Sequence, residues 1–185
     1  MSDRFQFPPA SRDAVPRYWA EACVDLDPPD LAFGPEWTVP RPRPAERYFL
    51  IWDTAHVLRG AKCGDGTLGL IFLSQPAPTT MRFGIGLWAL CRGQGLGPAI
   101  CDDAYDFIFA GWPEIYKLES EVYTSNLHSL SALHGPKSGR RYRAREEGRQ
   151  RATISIGDRY YDRVLYGYDR DEWFAVVNST GEVLT

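Results

Sequence analysis

Apolar and polar positions alternate along this chain with two different periods, and each change of period marks an element. RFQF (4–7) reads as a short first strand. From Ser11, the apolar positions Val15, Tyr18, Trp19 and Cys23 recur at helical spacing, so SRDAVPRYWAEACVDL (11–26) reads as a helix with Ser11 as its N-cap. The next stretch, DPPDLAFGPEWTVPRPRP (27–44), is dense in proline and glycine and reads as an extended loop tied down by Leu31, Phe33 and Trp37. RYFLIWD (47–53) and AHVLRG (55–60) carry strand-like runs, the first also compatible with a helix. CGDGT is a turn, and LGLIFLS (68–74) is a run of the kind buried strands carry.

After a second turn, QPAPTT, the segment MRFGIGLWAL (81–90) reads as a strand that ends at a glycine cluster. A helix follows from Pro98 to about Ala110, carried by Ile100, Cys101, Ala104, Phe107 and Ile108, and GWPE breaks it. IYKLESEVY (115–123) alternates as a strand, with Tyr116, Leu118, Ser120 and Val122 on one face. Ser125-Asn126 opens a further helix with the stripe Leu127, Leu130 and Leu133, and HGPKSG ends it. RATISIG (151–157) and YYDRVLYGY (160–168) are the last strands. The order β-α-loop-β-β-β-α-β-α-β-β, without internal repeats or a composition break, predicts one α/β (α+β) domain over residues 1–185.

Composition narrows the function classes. A chain of 185 residues, 44% hydrophobic, has the make-up of a globular domain with a substantial core. A net charge of −3 argues against a protein whose main task is to grip a phosphate backbone, so nucleic acid is not an expected partner. Cys23, Cys63, Cys91 and Cys101 show no CxxC spacing, and His56, His128 and His134 add no ligand pattern, so no metal site is expected. The first residues lack the layout of a signal peptide, and no apolar run is long enough to cross a bilayer. These features predict a cytoplasmic chain without a membrane partner, monomeric or homodimeric.

The candidate chemistry sits in CRGQGLGPAI (91–100), between a strand and a helix. The first amides of a helix lack intrahelical acceptors, the macrodipole puts partial positive charge there, and glycines let a backbone close on an anion. A phosphate on residues 92–97 is therefore expected. The triphosphate loop requires GxxxxGK[ST], which is absent, and the spacing of Gly93, Gly95 and Gly97 departs from GxGxxG. What remains is Arg92-x-x-Gly95-x-Gly97. This resembles the pyrophosphate loop of the GNAT superfamily of N-acetyltransferases. The resemblance extends to RFGIGLWALCRGQG as the family's fourth strand, to KLESEVY, to Asn126-x-x-Ser129, and to GRRYRAREEGRQR and GDRYYDRVLYGYDRDEW. That order is similar to the branch that acetylates ribosomal-protein N-termini and to related small-amine acetyltransferases, and it covers roughly residues 45–174.

The resemblance implies a central mixed, mostly antiparallel sheet of six to seven strands, splayed between strands four and five and flanked by helices. It implies acetyl-CoA as acyl donor, bound by a core at 81–135, and a primary amine as acceptor, covered by 11–47. Leu87, Trp88 and Leu90 would pair with the pantetheine, and Arg92, Gly93, Gln94, Gly95, Leu96 and Gly97 would hold the pyrophosphate. Asn126 would touch the pantetheine arm and Ser129 would lie near the sulfur as proton donor. The strand glutamates Glu119 and Glu121 are candidates for the base. The family's usual glutamate at the start of strand four is replaced by Arg82, and its usual tyrosine acid is missing near Leu133. His128, His134 and the arginines 140, 141, 143, 145, 149 and 151 read first as surface residues, the arginines alternatively as contacts for the 3′-phosphate of coenzyme A or an acidic acceptor. A coenzyme-binding domain without transferase activity, and a transferase acting on a nucleic-acid-linked amine, are the alternative functions.

Overall fold

The computed structural model describes residues 4–18, 46–54, 66–134 and 144–180. Its centre is a seven-stranded sheet in the order β1-β2-β3-β4-β5-β7-β6. The strands are β1 (Phe5–Gln6), β2 (Arg47–Asp53), β3 (Thr67–Ala77), β4 (Thr80–Leu87), β5 (Lys117–Tyr123), β6 (Arg145–Ile156) and β7 (Arg159–Asp169). Every neighbouring pair is antiparallel except β4 and β5, which run parallel. A parallel pair needs a crossover between its strands, and α1 (Leu96–Gly111) supplies it. The mixed, mostly antiparallel seven-stranded sheet with flanking helices matches the architecture expected from the resemblance.

One face of the sheet carries Met81, Phe83, Leu118, Val122, Val164, Tyr166 and Tyr168, all buried. Helix α1 lies on this face: the Tyr105 ring packs edge-on against Phe83 at 5.2 Å and tilts against Tyr168 at 5.9 Å. Burial of α1 is wider than its apolar stripe, because Asp102, Asp103 and Asp106 are buried as well. Asp106 is held by the indole N–H of Trp173, at 2.6 Å. Trp173 lies on the C-terminal helix, here α3 (Arg170–Thr180). Its neighbour Arg170 donates to the carbonyls of Trp112 and Ile115 just past the end of α1, each at 2.7 Å, and so locks the two helices together.

Several expectations needed correction. The strand expected at 68–74 runs from Thr67 to Ala77, through the proposed turn residues Gln75 and Pro76. The strand expected at 81–90 stops at Leu87, and Ala89–Cys91 form a 3-10 turn. β6 starts at Arg145 rather than Arg151, because the charged stretch REEGRQ pairs with β7 along an outer edge that water can reach on most sides. Helix α3 was not expected. Its start signal is half of a capping box, in which the Asp169 amide donates to Glu172 Oε2 at 3.2 Å. Near the N-terminus, Arg12–Ala14 form a 3-10 turn and 15–18 continue as helix, while Ser11 makes no side-chain cap bond. The rest of the helix expected at 11–26, the loop at 27–44 and the strand at 55–60 lie outside the described residues.

Candidate active site

The site follows from one discontinuity in the sheet. β4 pairs with β5 at Thr80–Lys117, Met81–Leu118 and Arg82–Glu119, and the ladder ends there. Beyond it, β4 stays on β3 as far as Gly69–Leu87, and β5 stays on β7 as far as Tyr123–Arg163. The two central strands therefore part like a fork, with its apex after Arg82 and Glu119 and its open end at Leu87.

Register decides which backbone groups line the gap. Trp88 donates its amide to the Leu68 carbonyl at 2.9 Å. In an antiparallel ladder bonded and non-bonded residue pairs alternate, so Leu87–Gly69, Ile85–Ile71 and Phe83–Leu73 are non-bonded pairs. The peptide groups of Phe83, Ile85 and Leu87 accordingly point away from β3 and into the fork. On the other wall, Thr124 donates to the Asp162 carbonyl, so the even-numbered residues of β5 bond to β7. Glu119 and Glu121 turn their peptides toward β4.

At the open end the chain leaves β4 through the 3-10 turn and two left-handed glycines. Gly93 has φ +70° and Gly95 φ +72°, and a side chain at either would meet open space, so conformation and not crowding demands glycine there. Among the described residues none accepts the amides of Gly93, Gln94 or Gly95. Leu96 and Gly97 are the first residues of α1, whose amides have no acceptor within the helix. Consecutive open amides at the end of a sixteen-residue helix are chemically an anion cradle.

The other expected cofactor residues divide. Leu87 lies on the fork wall, and its carbonyl accepts Arg92 Nε at 3.1 Å. Trp88 is buried with its amide turned to β3. Leu90 sits in the 3-10 turn, half exposed, and its carbonyl accepts Gln94 Nε2 at 2.7 Å. The Arg92 amide closes that turn on Ala89 at 3.3 Å, so it faces inward while its guanidinium braces Leu87. Ile85 was missed by the sequence reading. Strand alternation counted back from Leu87 could have found it, had the end of the strand been placed correctly.

Across the fork, Asn126 precedes α2 (Leu127–His134) and caps it: its Oδ1 accepts the Ser129 amide at 2.9 Å. Asn126 and Ser129 are thus brought together within one turn, and Ser129 is half-buried. Gly97 on α1 faces Ala132 on α2, which joins the cradle to this wall. His128 is exposed on the same helix.

Glu119 and Glu121 occupy the sheet face opposite α1, in a chain of ion pairs over three strands. Arg82 holds Glu119 Oε2 at 3.1 Å and Glu121 Oε1 at 3.0 Å. Glu121 Oε2 is held by Arg163 at 3.1 Å. Both oxygens of Glu121 are committed, whereas Glu119 Oε1 has no partner among the described residues. On the opposite face, the Ser120 hydroxyl donates to the Phe83 carbonyl at 3.3 Å. Beside this cluster the Phe72 ring lies over Gly84, filling the space a Cβ would need.

Of the basic run, Arg145 pairs with Asp169 and Glu172, and Arg149 with Glu146 and Asp162; Arg151 is exposed. Arginines 140, 141 and 143 lie outside the described residues, as do Trp19, Phe33 and Trp37. Tyr18 stacks on Trp88 with centroids 5.9 Å apart, so the N-terminal segment reaches the strand end that leads into the glycine turn. No group of metal-ligating side chains occurs among the described residues, and no helix there is long and apolar enough to cross a membrane.

No protein-family model matches this sequence, and no curated protein matches it. Solved structures do. Spermidine N-acetyltransferase from Vibrio cholerae, in complex with CoA and spermine, superposes with a TM-score of 0.66 at 15% identity, over 94% of this chain and 99% of that one. A dodecameric structure of the same Vibrio cholerae enzyme gives 0.65 at 15% identity, over 93% and 97%. The smu.2055 protein of Streptococcus mutans UA159 gives 0.63 at 17% identity, over 89% and 98%. At these identities the likeness is one of architecture, and it runs nearly the full length of each chain: this chain has the GNAT fold that it shares with spermidine N-acetyltransferases.

Proposed function

We propose that this chain is an acetyl-CoA-dependent N-acetyltransferase, a single catalytic domain that moves an acetyl group to a primary amine by direct attack on the thioester. The observation that carries this reading is the fork itself, a parallel pair that ends after Arg82–Glu119 with the glycine cradle at its open end. A coenzyme with a diphosphate at one end and an extended amide-bearing arm at the other fits both parts. The amides of Gly93 to Gly97 take the diphosphate, and the peptides of Ile85 and Leu87 pair with the arm as an added strand would. A neighbour of the same fold that is described with CoA supports the assignment.

The thioester then arrives near the apex, between β4 and the N-terminus of α2. A gap-facing β4 amide steadies the developing oxyanion. Ser129 protonates the leaving thiolate. Glu119, with one carboxylate oxygen uncommitted, is the better base for an ammonium acceptor; Glu121 is held by two guanidinium groups and serves the framework. The acceptor is a small-molecule amine or a protein N-terminus, the latter being the chemistry of the ribosomal-protein branch. The Vibrio cholerae neighbour is described with spermine, which supports testing polyamines first.

The test is thermal unfolding of the full chain with CoA, acetyl-CoA or neither, then thiol release with spermidine, spermine and N-terminal peptides. A ligand that binds only the folded state raises the midpoint by several degrees at saturation. Absence of any shift with either coenzyme overturns the reading. A shift without thiol release from any amine favours a coenzyme-binding domain over a transferase.

A further inference from the structure

The fork has a defined apex, and two side-chain contacts hold it from opposite faces of the sheet. The next rung of the parallel ladder would run from the Glu121 amide to the Phe83 carbonyl, since both groups face the gap. That rung is not formed. The Phe83 carbonyl accepts the buried Ser120 hydroxyl in its place, at 3.3 Å. A side-chain hydroxyl that satisfies a backbone acceptor competes with the ladder, so Ser120 acts as a wedge against further zipping.

On the opposite face, Arg82 sits at the last ladder pair and spans β4 to β5. It grips Glu119 across that pair and Glu121 one step into the gap, and Arg163 on β7 anchors Glu121 in turn. Arg82 acts as a brace against further splitting. The two contacts oppose each other, and together they fix where β4 and β5 part.

We propose that Ser120 and Arg82 are positioning residues that set the depth of the acyl end of the cleft, and through it the length of acyl chain accepted. The inference rests on the coenzyme reading above, in which the arm runs along Ile85 and Leu87 toward the apex. Removing the wedge lets the Glu121–Phe83 rung form and moves the apex toward the arm, which shortens the cleft. Removing the brace lets the strands part earlier and deepens it. The two changes therefore act in opposite directions on acyl selectivity.

The experiment compares wild type, Ser120→Ala, Ser120→Thr, Arg82→Ala and Arg82→Lys in two measurements. The first is residue-resolved amide exchange of the ligand-free chain. The second is calorimetric binding of CoA, acetyl-CoA and butyryl-CoA. Ser120→Ala is expected to protect the Glu121 amide and to weaken butyryl-CoA relative to CoA by about tenfold, the scale of one or two methylenes in an apolar pocket. Ser120→Thr keeps the hydroxyl and should match wild type. Arg82→Ala should speed exchange of the Glu119 amide and raise the butyryl-to-CoA affinity ratio, with Arg82→Lys between it and wild type.

Unchanged Glu121 exchange and unchanged affinity ratios in Ser120→Ala overturn the inference, as does a shift of the same sign in both alanine variants. If Ser120→Ala does not fold, the Arg82 pair decides by the same criterion. If wild type binds neither coenzyme, the coenzyme reading and the acyl-selectivity inference fall, and the exchange data alone then judge the wedge and the brace.

Discussion

The side-chain oxygen of Asn126 accepts the backbone amide of Ser129, three residues on, at 2.9 Å. One residue thus starts helix α2 and stands on the wall of the fork, so its capping role and its proposed ligand role can be separated. Asn126→Asp keeps an oxygen for the cap and loses the amide donor. Asn126→Ala loses both. We expect Asn126→Ala to cost about 1 kcal/mol in urea unfolding and Asn126→Asp far less, while both weaken CoA binding. Full CoA affinity in Asn126→Asp would confine Asn126 to capping.

Gly95 stands at φ +72° immediately before α1, with nothing within 4 Å of the position a Cβ would take. Gly95→Ala therefore meets strain without a clash. The expected cost is about 1 kcal/mol of stability, seen as a lower thermal midpoint. Distortion of the cradle should also reduce the rise in midpoint that CoA produces. Gly111 also has open space around it and carries no positive φ, so Gly111→Ala is a matched control that should leave the CoA-induced shift intact.

The buried pair of Asp106 and Trp173 joins α1 to α3. Trp173→Phe keeps most of the ring and deletes the indole donor. We expect a loss of about 1–3 kcal/mol in chemical unfolding, the range for removing one partner of a buried hydrogen bond. A second substitution, Asp106→Asn, should recover part of that loss in the Trp173→Phe background by replacing the carboxyl group that loses the indole donor. Additive losses in the double variant would argue that the two side chains are not energetically coupled.

Legibility differed from element to element for identifiable reasons. α1 and β5 were placed well because each has a single clean period, set by Ile100, Ala104 and Ile108 in one case and by Leu118, Ser120 and Val122 in the other. The end of β4 was misplaced because Trp88, Ala89 and Leu90 are as apolar as the strand, while a 3-10 turn is dictated by backbone bonding that composition does not record. β6 was read too short because its charged half pairs along an exposed edge and shows no buried alternation. α3 was overlooked although Asp169 and Glu172 spell its cap, because its apolar content is low.

The sequence by itself determined the glycine cluster, the helix that follows it, the start of a helix at Ser125-Asn126 and the resemblance that implied the fold. All of these arise from residues close together along the chain, where local sterics and hydrogen-bonding capacity act directly. Tertiary structure alone decided that the β4–β5 ladder ends after Arg82–Glu119, that Ile85 joins Leu87 on the gap, and that Arg82 ties Glu119 to Glu121 while Ser120 takes the Phe83 carbonyl. These depend on register between segments that are distant in sequence. A shift of one residue would turn every one of those groups to the other side.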